Sequence, residues 1–278
     1  MADNRTDHHR GVVQRTERIS RHMVRVVVGG DGLAEFATTG LTDHYVKLVF
    51  PVEGVEYPQP FSVKGCRETM PRELWPKLRT YTVRAWDPDS RELTLDFVVH
   101  GDEGLAGPWA DRAGPGDELL MLGPGGGYAP DPEAAWHLLV GDESALPAIA
   151  AALEVLHDGV PARVLIEVDA PEDELKLGTA ADARITWIYR GDRPVGEKLV
   201  TAVRELDFPE GDVHAFVHGE AGFVKELRRH LRLERGVGID RLSISGYWRT
   251  GVDDEGWRQV KGDWNRQVEA EEAAAIAS

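Results

Sequence analysis

The chain of 278 residues has little cysteine, no long hydrophobic run and a deficit of positive charge. Cys66 is its single cysteine, which excludes an intrachain disulfide and a cysteine-built metal site, as expected in a reducing cytoplasm. No run approaches the length of about 18 apolar residues that predicts a membrane-spanning helix. Lys and Arg number 32 against 48 Asp and Glu, and the net charge of −16 repels phosphate backbones and anionic lipid. Neither nucleic-acid binding nor membrane insertion is therefore expected.

Residues 1–10 are polar and lack the apolar core of a signal peptide. We therefore expect an untargeted, cytoplasmic protein. A hydrophobic content of 42% and a charged content of 29% are typical of a globular chain that buries a core.

The first half of the chain, from residue 12 to about residue 123, consists of short β-branched runs separated by Gly, Pro and Asp, a spacing typical of a barrel or sandwich. The candidate strands are residues 23–28, 45–50, 80–86, 92–99 and 118–122. In the fourth of them Leu93, Leu95 and Phe97 alternate with polar residues, which places one face inward. This half is predicted to be antiparallel β structure.

A cluster of glycine and proline at residues 123–132 marks the predicted domain boundary, which gives domains at 12–131 and 132–278. Beyond it, candidate strands alternate with candidate helices: strands at 136–140, 163–168, 185–189, 213–218 and 241–245, and helices at 145–157, 196–206 and 221–231. This alternation predicts right-handed crossovers and a doubly wound parallel sheet. Trp248, Trp257 and Trp264 predict that the C-terminal tail packs back on the protein, with fraying at the end of the acidic run 269–276.

A barrel followed by a doubly wound domain suggests a flavin held by the first domain and a second reactant at the carboxyl ends of the parallel strands. Arg79 can clamp a pyrophosphate, while Tyr81 on the same strand lies against an isoalloxazine ring. Between and beside them, Thr80 and Thr82 continue the strand, and Thr82 offers a hydroxyl and a backbone N–H to the ring edge. The alternative is an ordinary strand with a surface arginine and a half-buried tyrosine.

Two further segments of this half offer contacts to a cofactor. The first is the strand end formed by Asp96, Phe97, Val98, Val99 and His100. Its histidine lies where ribose or phosphate would arrive if this strand neighbours that of Arg79, although a solvated side chain is the alternative. The second is a small-residue turn and helix start, with free N–H groups that can meet a diphosphate, at Ala106, Gly107, Pro108 and Trp109.

In the second half, a buried strand followed by a helix start is the position of a dinucleotide-binding loop. After Gly141 the residues there are Asp142, Glu143, Ser144 and Ala145, which do not complete a GxGxxG pattern. Two carboxylates therefore stand where a pyrophosphate would sit. Either the cofactor binds differently here or the acids cap the helix.

The last strand of the second half ends in two aromatic residues and a cation, Tyr247, Trp248 and Arg249. They can face a bound cofactor, and the alternative is core packing of the two rings with a solvated arginine.

Taken together and in this order, the segments resemble the siderophore-interacting proteins, a family of flavin-dependent ferric-siderophore reductases related to ferredoxin–NADP reductases. The resemblance runs from about residue 12 to about residue 261, and its most specific parts are residues 79–84, 96–101, 141–147 and 246–249. It implies a six-stranded antiparallel β-barrel that binds FAD, followed by a doubly wound parallel α/β domain of the ferredoxin reductase type.

The resemblance also implies roles for individual residues. It implies that FAD is contacted by the following residues of the barrel: Arg79, Tyr81, Thr82, Asp96, His100, Ala106, Gly107 and Trp109. It further implies that Tyr247 and Trp248 shield one flavin face and that residues 142–145 line the adjoining cleft. The implied reaction reduces Fe(III) held in a siderophore to Fe(II), which hard oxygen ligands bind more weakly. Because the flavin carries the electron transfer, no catalytic side chain and no resident metal are expected.

Ferric siderophores are often anionic, and basic residues are thought to hold them in this family. Lys47 and Arg249 are the candidates, although Lys47 equally fits a solvated strand residue and Gly125 stands where some relatives carry a basic residue. NADH, NADPH and a reduced ferredoxin stay open as electron donors, and we expect a monomer. Two alternatives are a general NAD(P)H-dependent flavin or ferredoxin-type oxidoreductase and a non-catalytic siderophore-binding flavoprotein.

Overall fold

The computed structural model describes residues 8–102 and 104–277, and the chain divides into two units after Gly126. The expectation of an untargeted N-terminus rests largely on residues 1–7, which lie outside the described residues. In the part of the chain that is described, no helix is both long enough and apolar enough to cross a membrane.

The first unit is the six-stranded antiparallel barrel that the resemblance implied. Its strands are β1 His9–Arg18, β2 Met23–Gly29, β3 Tyr45–Phe50, β4 Lys77–Asp87, β5 Glu92–Val98 and β6 Glu118–Gly125. They close in the order β1-β2-β5-β4-β3-β6. The connections contain two short helices, α1 Val63–Thr69 and α2 Ala106–Arg112.

The first strand, β1, is the one that the sequence pattern did not predict. It buries only Gly11 and Val13, and apart from Val12 the rest of it is polar or charged, so it has no apolar alternation. Its place is fixed by pairing, because it joins β2 on one side and β6 on the other and so closes the barrel. A closed barrel leaves no unpaired strand edge.

The interior of the barrel is filled by branched and aromatic side chains. The alternation predicted for residues 92–99 is confirmed, because Leu93, Leu95 and Phe97 of β5 are all buried in the core. Asp96 is buried as well, although it belongs to the other side of the strand. This exception matters for the candidate site described below.

The second unit is the predicted doubly wound parallel sheet. Its elements are strands β7 Trp136–Asp142, β8 Pro161–Val168, β9 Asp182–Tyr189, β10 Val213–Glu220 and β11 Leu242–Trp248, with helices α3 Leu146–Val155, α4 Glu197–Arg204, α5 Ala221–Arg229 and α6 Asp254–Ala277. The sheet order is β11-β10-β7-β8-β9. The chain runs outward from β7 to β9 and then returns to the other side of β7. The topological switch point therefore lies between β7 and β10, where open α/β sheets bind their ligands.

The C-terminal tail forms one helix of 24 residues, α6. Trp257 is 2% exposed, and the ring of Trp264 meets it edge-on with 5.4 Å between centroids. Near the end of the helix, Glu272 accepts hydrogen bonds from Arg228 Nε at 2.6 Å and Arg232 Nε at 2.7 Å. These ion pairs anchor Glu272 of the acidic run, and the helix continues to its last described residue, whereas the fraying of the last residues stays a prediction.

Replacing Glu272 by Ala should destabilise the second unit by about 3 kcal/mol, because two largely buried arginines then lose their shared carboxylate. The side chains of Arg228, Arg232 and Glu272 are only 16%, 16% and 12% exposed. Urea unfolding at pH 7 measures the change in the free energy of unfolding.

The matched control is Glu271→Ala, which removes the neighbouring carboxylate from a pair with Lys225 that is about half exposed. It should cost about 0.5 kcal/mol or less. Equal losses in the two variants would contradict the role assigned to Glu272.

Candidate functional site

The strand β4 places Arg79 and Tyr81 two residues apart on the same side, and both side chains are half-buried. The strand was predicted to start at residue 80, but its pairing with β3 starts at Lys77 opposite Phe50, so Arg79 lies within the strand. Thr80 and Thr82 lie on the other side of β4, the first exposed and the second buried. A cation and an aromatic ring are therefore presented together at one surface of the barrel unit.

Three aromatic rings join β4, β5 and α2. The ring centroids of Tyr81 and Phe97 are 4.4 Å apart, and those of Phe97 and Trp109 are 5.6 Å apart. Phe97 is buried, whereas Tyr81 and Trp109 are half-buried. The two accessible rings thus rest on a rigid apolar base, which is a surface that suits a flat aromatic ligand.

The strands β4 and β5 are antiparallel neighbours, so the strand that leads to His100 does lie beside the strand of Arg79, as the predicted role of His100 required. Val98 is half-buried and Val99 is buried, and the strand leads into an exposed His100. The ring of His100 lies 5.7 Å from the ring of His22, between centroids.

The carboxylate of Asp96 has a partner that the sequence pattern did not indicate. Arg25, its cross-strand neighbour on β2, donates from Nε and Nη2 to the two carboxylate oxygens at 2.7 and 2.8 Å. Asp96 is 4% exposed, so the pair is largely desolvated and joins β2 to β5. The available signal was that Arg25 is the only charged residue in an otherwise apolar strand.

The start of α2 lies close to the end of β5. Ala106, Gly107 and Pro108 are buried there, and a Cβ on Gly107 would lie 3.0 Å from the carbonyl oxygen of Val98. Glycine therefore permits this approach. The N–H groups in the first turn of a helix have no partner within the helix, although Pro108 has none to offer.

Lys47 is exposed on β3, opposite Thr80 of β4. Among the described residues it has no ion-pair partner. Gly125 pairs with Tyr45, and a Cβ on it would lie 2.5 Å from Tyr45 Cζ. The phenol ring of Tyr45 thus occupies the space that a side chain at position 125 would need.

In the second unit, Asp142 ends β7 with its carboxylate buried and accepting four hydrogen bonds. Oδ1 accepts from Ser144 N at 2.9 Å and Ser144 Oγ at 2.5 Å, and Oδ2 accepts from Glu220 N and Trp248 Nε1, both at 2.8 Å. Burial raises the pKa of Asp142, and the hydrogen bonds from Ser144, Trp248 and Glu220 oppose that rise. Of the two possibilities left open for this acid, the geometry favours capping of the turn into α3.

Two more buried carboxylates, which the sequence analysis did not single out, lie at helix starts. Glu167 of β8 accepts from Gly196 N, just before α4, at 2.9 and 3.1 Å. Glu220 at the end of β10 accepts from Gly222 N at 2.5 Å and Phe223 N at 3.3 Å in α5. For Glu220 the available signal was an acid at the end of a parallel strand that a helix follows; Glu167 offered no such signal, because β9 and not an α-helix follows β8.

Glu143 is 5% exposed and lies among other acids. Burial, together with the charges of Asp173 and Asp142, raises the pKa of Glu143 from 4.5 to about 7, although the charge of Arg190 opposes that rise. Ala145, which follows, is buried against Gly141, since a Cβ on that glycine would lie 2.5 Å from Ala145 Cβ. The loop thus keeps the glycine that close packing of helix on strand requires.

The end of β11 presents Tyr247, whose ring lies 4.9 Å from that of His218, between centroids. Arg249 is exposed and has no ion-pair partner among the described residues. Lys261 of α6, which the sequence interpretation did not include, is half-buried, and burial and the charge of Arg258 lower its pKa.

Two family models match the chain. The one described as the siderophore-interacting FAD-binding domain matches residues 12–128, and the one described as siderophore-interacting protein matches residues 134–251. An FAD-binding barrel domain followed by a doubly wound parallel sheet defines a two-domain flavoprotein with the fold of a ferredoxin reductase. The chain belongs to the siderophore-interacting protein family.

Individual relatives agree with this assignment. An uncharacterised protein of Mycobacterium tuberculosis is 44% identical, covering 95% of this chain and 97% of the relative. The ferric vibriobactin reductase of Vibrio cholerae is 34% identical over 89% and 91%, and the NADPH-dependent ferric-chelate reductase of Escherichia coli is 32% identical over 85% and 91%. The crystal structure of a siderophore utilization protein from T. fusca is 35% identical, with a TM-score of 0.77 and coverage of 89% of this chain and 94% of that one.

Replacing Glu143 by Gln should change how stability depends on pH. A carboxyl whose pKa is raised on folding contributes most stability below its unfolded pKa of 4.5, and that contribution is lost as the pH rises through about 7. The free energy of unfolding of the wild type should therefore fall relative to that of Glu143→Gln between pH 4.5 and 8, by on the order of 3 kcal/mol. Urea unfolding at a series of pH values measures this difference.

Glu226→Gln is the control, because Glu226 is an exposed carboxylate on α5. Its difference from the wild type should stay nearly constant over the same pH range. If the difference for Glu143→Gln were also constant, Glu143 would be ionised throughout and its pKa would not be raised.

Proposed function

We propose that the chain is an FAD-dependent reductase that converts Fe(III) in ferric siderophores to Fe(II) and thereby releases iron for use in the cytoplasm. The observation that carries the proposal is the position of Arg79 and Tyr81 on one side of β4, with the Tyr81 ring against that of Phe97, in a barrel of the siderophore-interacting FAD-binding type. The names of the relatives from Vibrio cholerae and Escherichia coli support the same reaction.

The barrel residues fit FAD in their chemistry. Arg79 offers a guanidinium for phosphate, and the first turn of α2 offers the N–H groups of Ala106 and Gly107. Tyr81 offers a half-buried ring for the isoalloxazine, and Trp109 a second half-buried aromatic surface. When bound, FAD supplies the electron transfer itself. The protein supplies position, exclusion of water and charge.

The remaining barrel residues have subsidiary roles in this proposal. Thr80 and Thr82 flank Tyr81 in the sequence but lie on the other side of β4, so backbone groups are the contacts we propose for them, and the strand end of Val98, Val99 and His100 leads toward α2. Because Arg25 holds both carboxylate oxygens of Asp96, we assign Asp96 the task of keeping β5 in register rather than direct contact with the cofactor.

The roles that the resemblance assigned to the second unit stay predictions. They concern Asp142, Glu143, Ser144, Ala145, Tyr247 and Trp248. Within that unit the indole N–H of Trp248 donates a hydrogen bond to the carboxylate of Asp142, which fixes the position of the indole.

For the substrate we propose an anionic ferric siderophore held by Lys47 and Arg249. Both are exposed cations without an ion-pair partner among the described residues. In a chain with a net charge of −16, such cations are the places where an anionic chelate meets least repulsion. Reduction releases the metal because hard oxygen donors bind Fe(II) more weakly than Fe(III).

For the donor we propose a reduced nicotinamide dinucleotide, which the name of the Escherichia coli relative supports, with a reduced ferredoxin as the alternative. We further propose that the protein acts as a monomer. A general flavin oxidoreductase is the competing function. It would reduce ferricyanide as readily as ferric siderophores, whereas the proposed enzyme would show a preference among ferric siderophores.

Replacing Arg79 by Ala should weaken FAD binding by roughly 1.5–3 kcal/mol, because one charge-assisted contact to phosphate is lost. Titration of the apoprotein with FAD, followed by flavin fluorescence, measures the dissociation constant. Lys64→Ala, which removes an exposed cation of the same unit, is the control and should leave FAD affinity unchanged. Full FAD affinity in Arg79→Ala would show that the proposed site is wrong.

Replacing Arg249 by Ala should spare FAD and weaken the ferric siderophore roughly fivefold, as expected for one exposed charge. The FAD-loaded protein is reduced anaerobically and mixed with a panel of ferric siderophores while Fe(II) is trapped by a chelator. The concentration dependence of the rate gives the apparent affinity, and Arg229→Ala removes another exposed cation as a control. If no ferric siderophore yields Fe(II), the proposed function fails; if FAD and siderophore affinity fall together, Arg249 is structural.

A further inference from the structure

The switch point between β7 and β10 is the place where a doubly wound sheet ordinarily binds the pyrophosphate of a dinucleotide. Binding there uses the free backbone N–H groups at helix N-termini, because these groups point outward with a partial positive charge. The question for this chain is whether those N–H groups are available to a ligand.

Several of them are already donated to the protein's own carboxylates. The N–H of Gly196, just before α4, donates to both carboxylate oxygens of Glu167. In the first turn of α5, the N–H groups of Gly222 and Phe223 are bonded to Glu220. Each helix start thus contains an anion from the adjoining strand.

The switch point itself is closed in the same way. Asp142 ends β7, and its Oδ2 accepts the N–H of Glu220 at the end of β10, so the carboxylate bridges the two strands. Its Oδ1 accepts the N–H of Ser144 in the turn that enters α3. The indole N–H of Trp248 also points at this carboxylate. Asp142, Glu167 and Glu220 are all buried, so water does not compete for these bonds.

We propose that Asp142, Glu167 and Glu220 close the carboxyl edge of the parallel sheet to the pyrophosphate of a nicotinamide dinucleotide, so that a nicotinamide donor is recognised without its pyrophosphate and adenosine. The three carboxylates are then specificity-determining residues, and they act by occupying donors and volume. This inference rests on the proposed reductase function, and it specifies that the chain recognises the nicotinamide part of the donor.

The first experiment uses the FAD-loaded wild-type protein. ADP-ribose, which carries the pyrophosphate and adenosine but no nicotinamide, should give no saturable heat of binding up to about 1 mM in calorimetry. Reduced nicotinamide mononucleotide and NADPH should reduce the bound FAD with apparent second-order rate constants that agree within about threefold. A pyrophosphate site would instead separate the two donors by about tenfold or more, the effect of a charge-assisted contact.

The second experiment frees the backbone N–H groups at the start of α5 from the carboxylate of Glu220. Glu220→Ser removes the charge and the bulk of the side chain but keeps a residue that caps helices well. This variant should gain affinity for ADP-ribose by at least about tenfold, as expected when charge-assisted N–H contacts become available to phosphate. Glu220→Gln keeps the bulk and should gain no more than about threefold, and Glu226→Gln, which removes a surface charge of the same helix, should change nothing.

Circular dichroism checks that the variants fold, and Asp142→Ser replaces Glu220→Ser if the latter does not. The inference would be overturned by any of three results. The wild type could bind ADP-ribose with micromolar affinity, or reduced nicotinamide mononucleotide could reduce the FAD more than about tenfold more slowly than NADPH does. The third result is a folded serine variant with no gain in affinity for ADP-ribose. Transfer of electrons from dithionite-reduced protein to a ferric siderophore tests the proposed function separately, because it uses no nucleotide.

Discussion

A carboxylate that is taken out of water must be given hydrogen-bond donors, and the second unit meets this requirement with backbone N–H groups at the starts of its helices. Glu167 and Glu220 bond to the beginnings of α4 and α5, and Asp142 bonds to the turn before α3. Because Asp142 also accepts from Glu220 N and Trp248 Nε1, one carboxylate joins the ends of β7, β10 and β11. The layout of this edge of the sheet depends on these bonds.

The barrel unit solves the same problem with a cation. Asp96 is buried, but Arg25 donates to both of its oxygens, so the charge is neutralised across the two strands that carry the pair. The difference bears on function, because backbone N–H groups used by internal carboxylates are lost to external anions. In the barrel, the start of α2 carries no side-chain cap among the described contacts, which leaves it compatible with the FAD phosphate contact proposed above.

Much of the fold is visible in the sequence, because the buried strands are apolar and the punctuation by glycine and proline is dense. The strand β1 is not visible, since it is mostly polar and its place comes from pairing with distant segments. The neighbouring positions of Arg79 and Tyr81 follow from strand periodicity alone. The partner of Asp96 does not, because it depends on the register of β2 against β5, and the choice between the two roles of Asp142 depends on Trp248, 106 positions further along the chain.

In a dinucleotide-binding loop, one glycine-rich sequence usually provides both close packing of the helix on its strand and open backbone for phosphate. The loop after β7 keeps only the first of these two properties. Gly141 keeps the close packing of α3 on its strand, which any side chain would prevent, whereas the next residues no longer offer open backbone to phosphate. The reducing equivalent of a nicotinamide donor resides in the nicotinamide ring, and the pyrophosphate contributes only binding that is the same before and during the transfer. Loss of such uniform binding raises the donor concentration that is needed but leaves the rate at saturation unchanged. A reductase can therefore give up the pyrophosphate site and keep its chemistry.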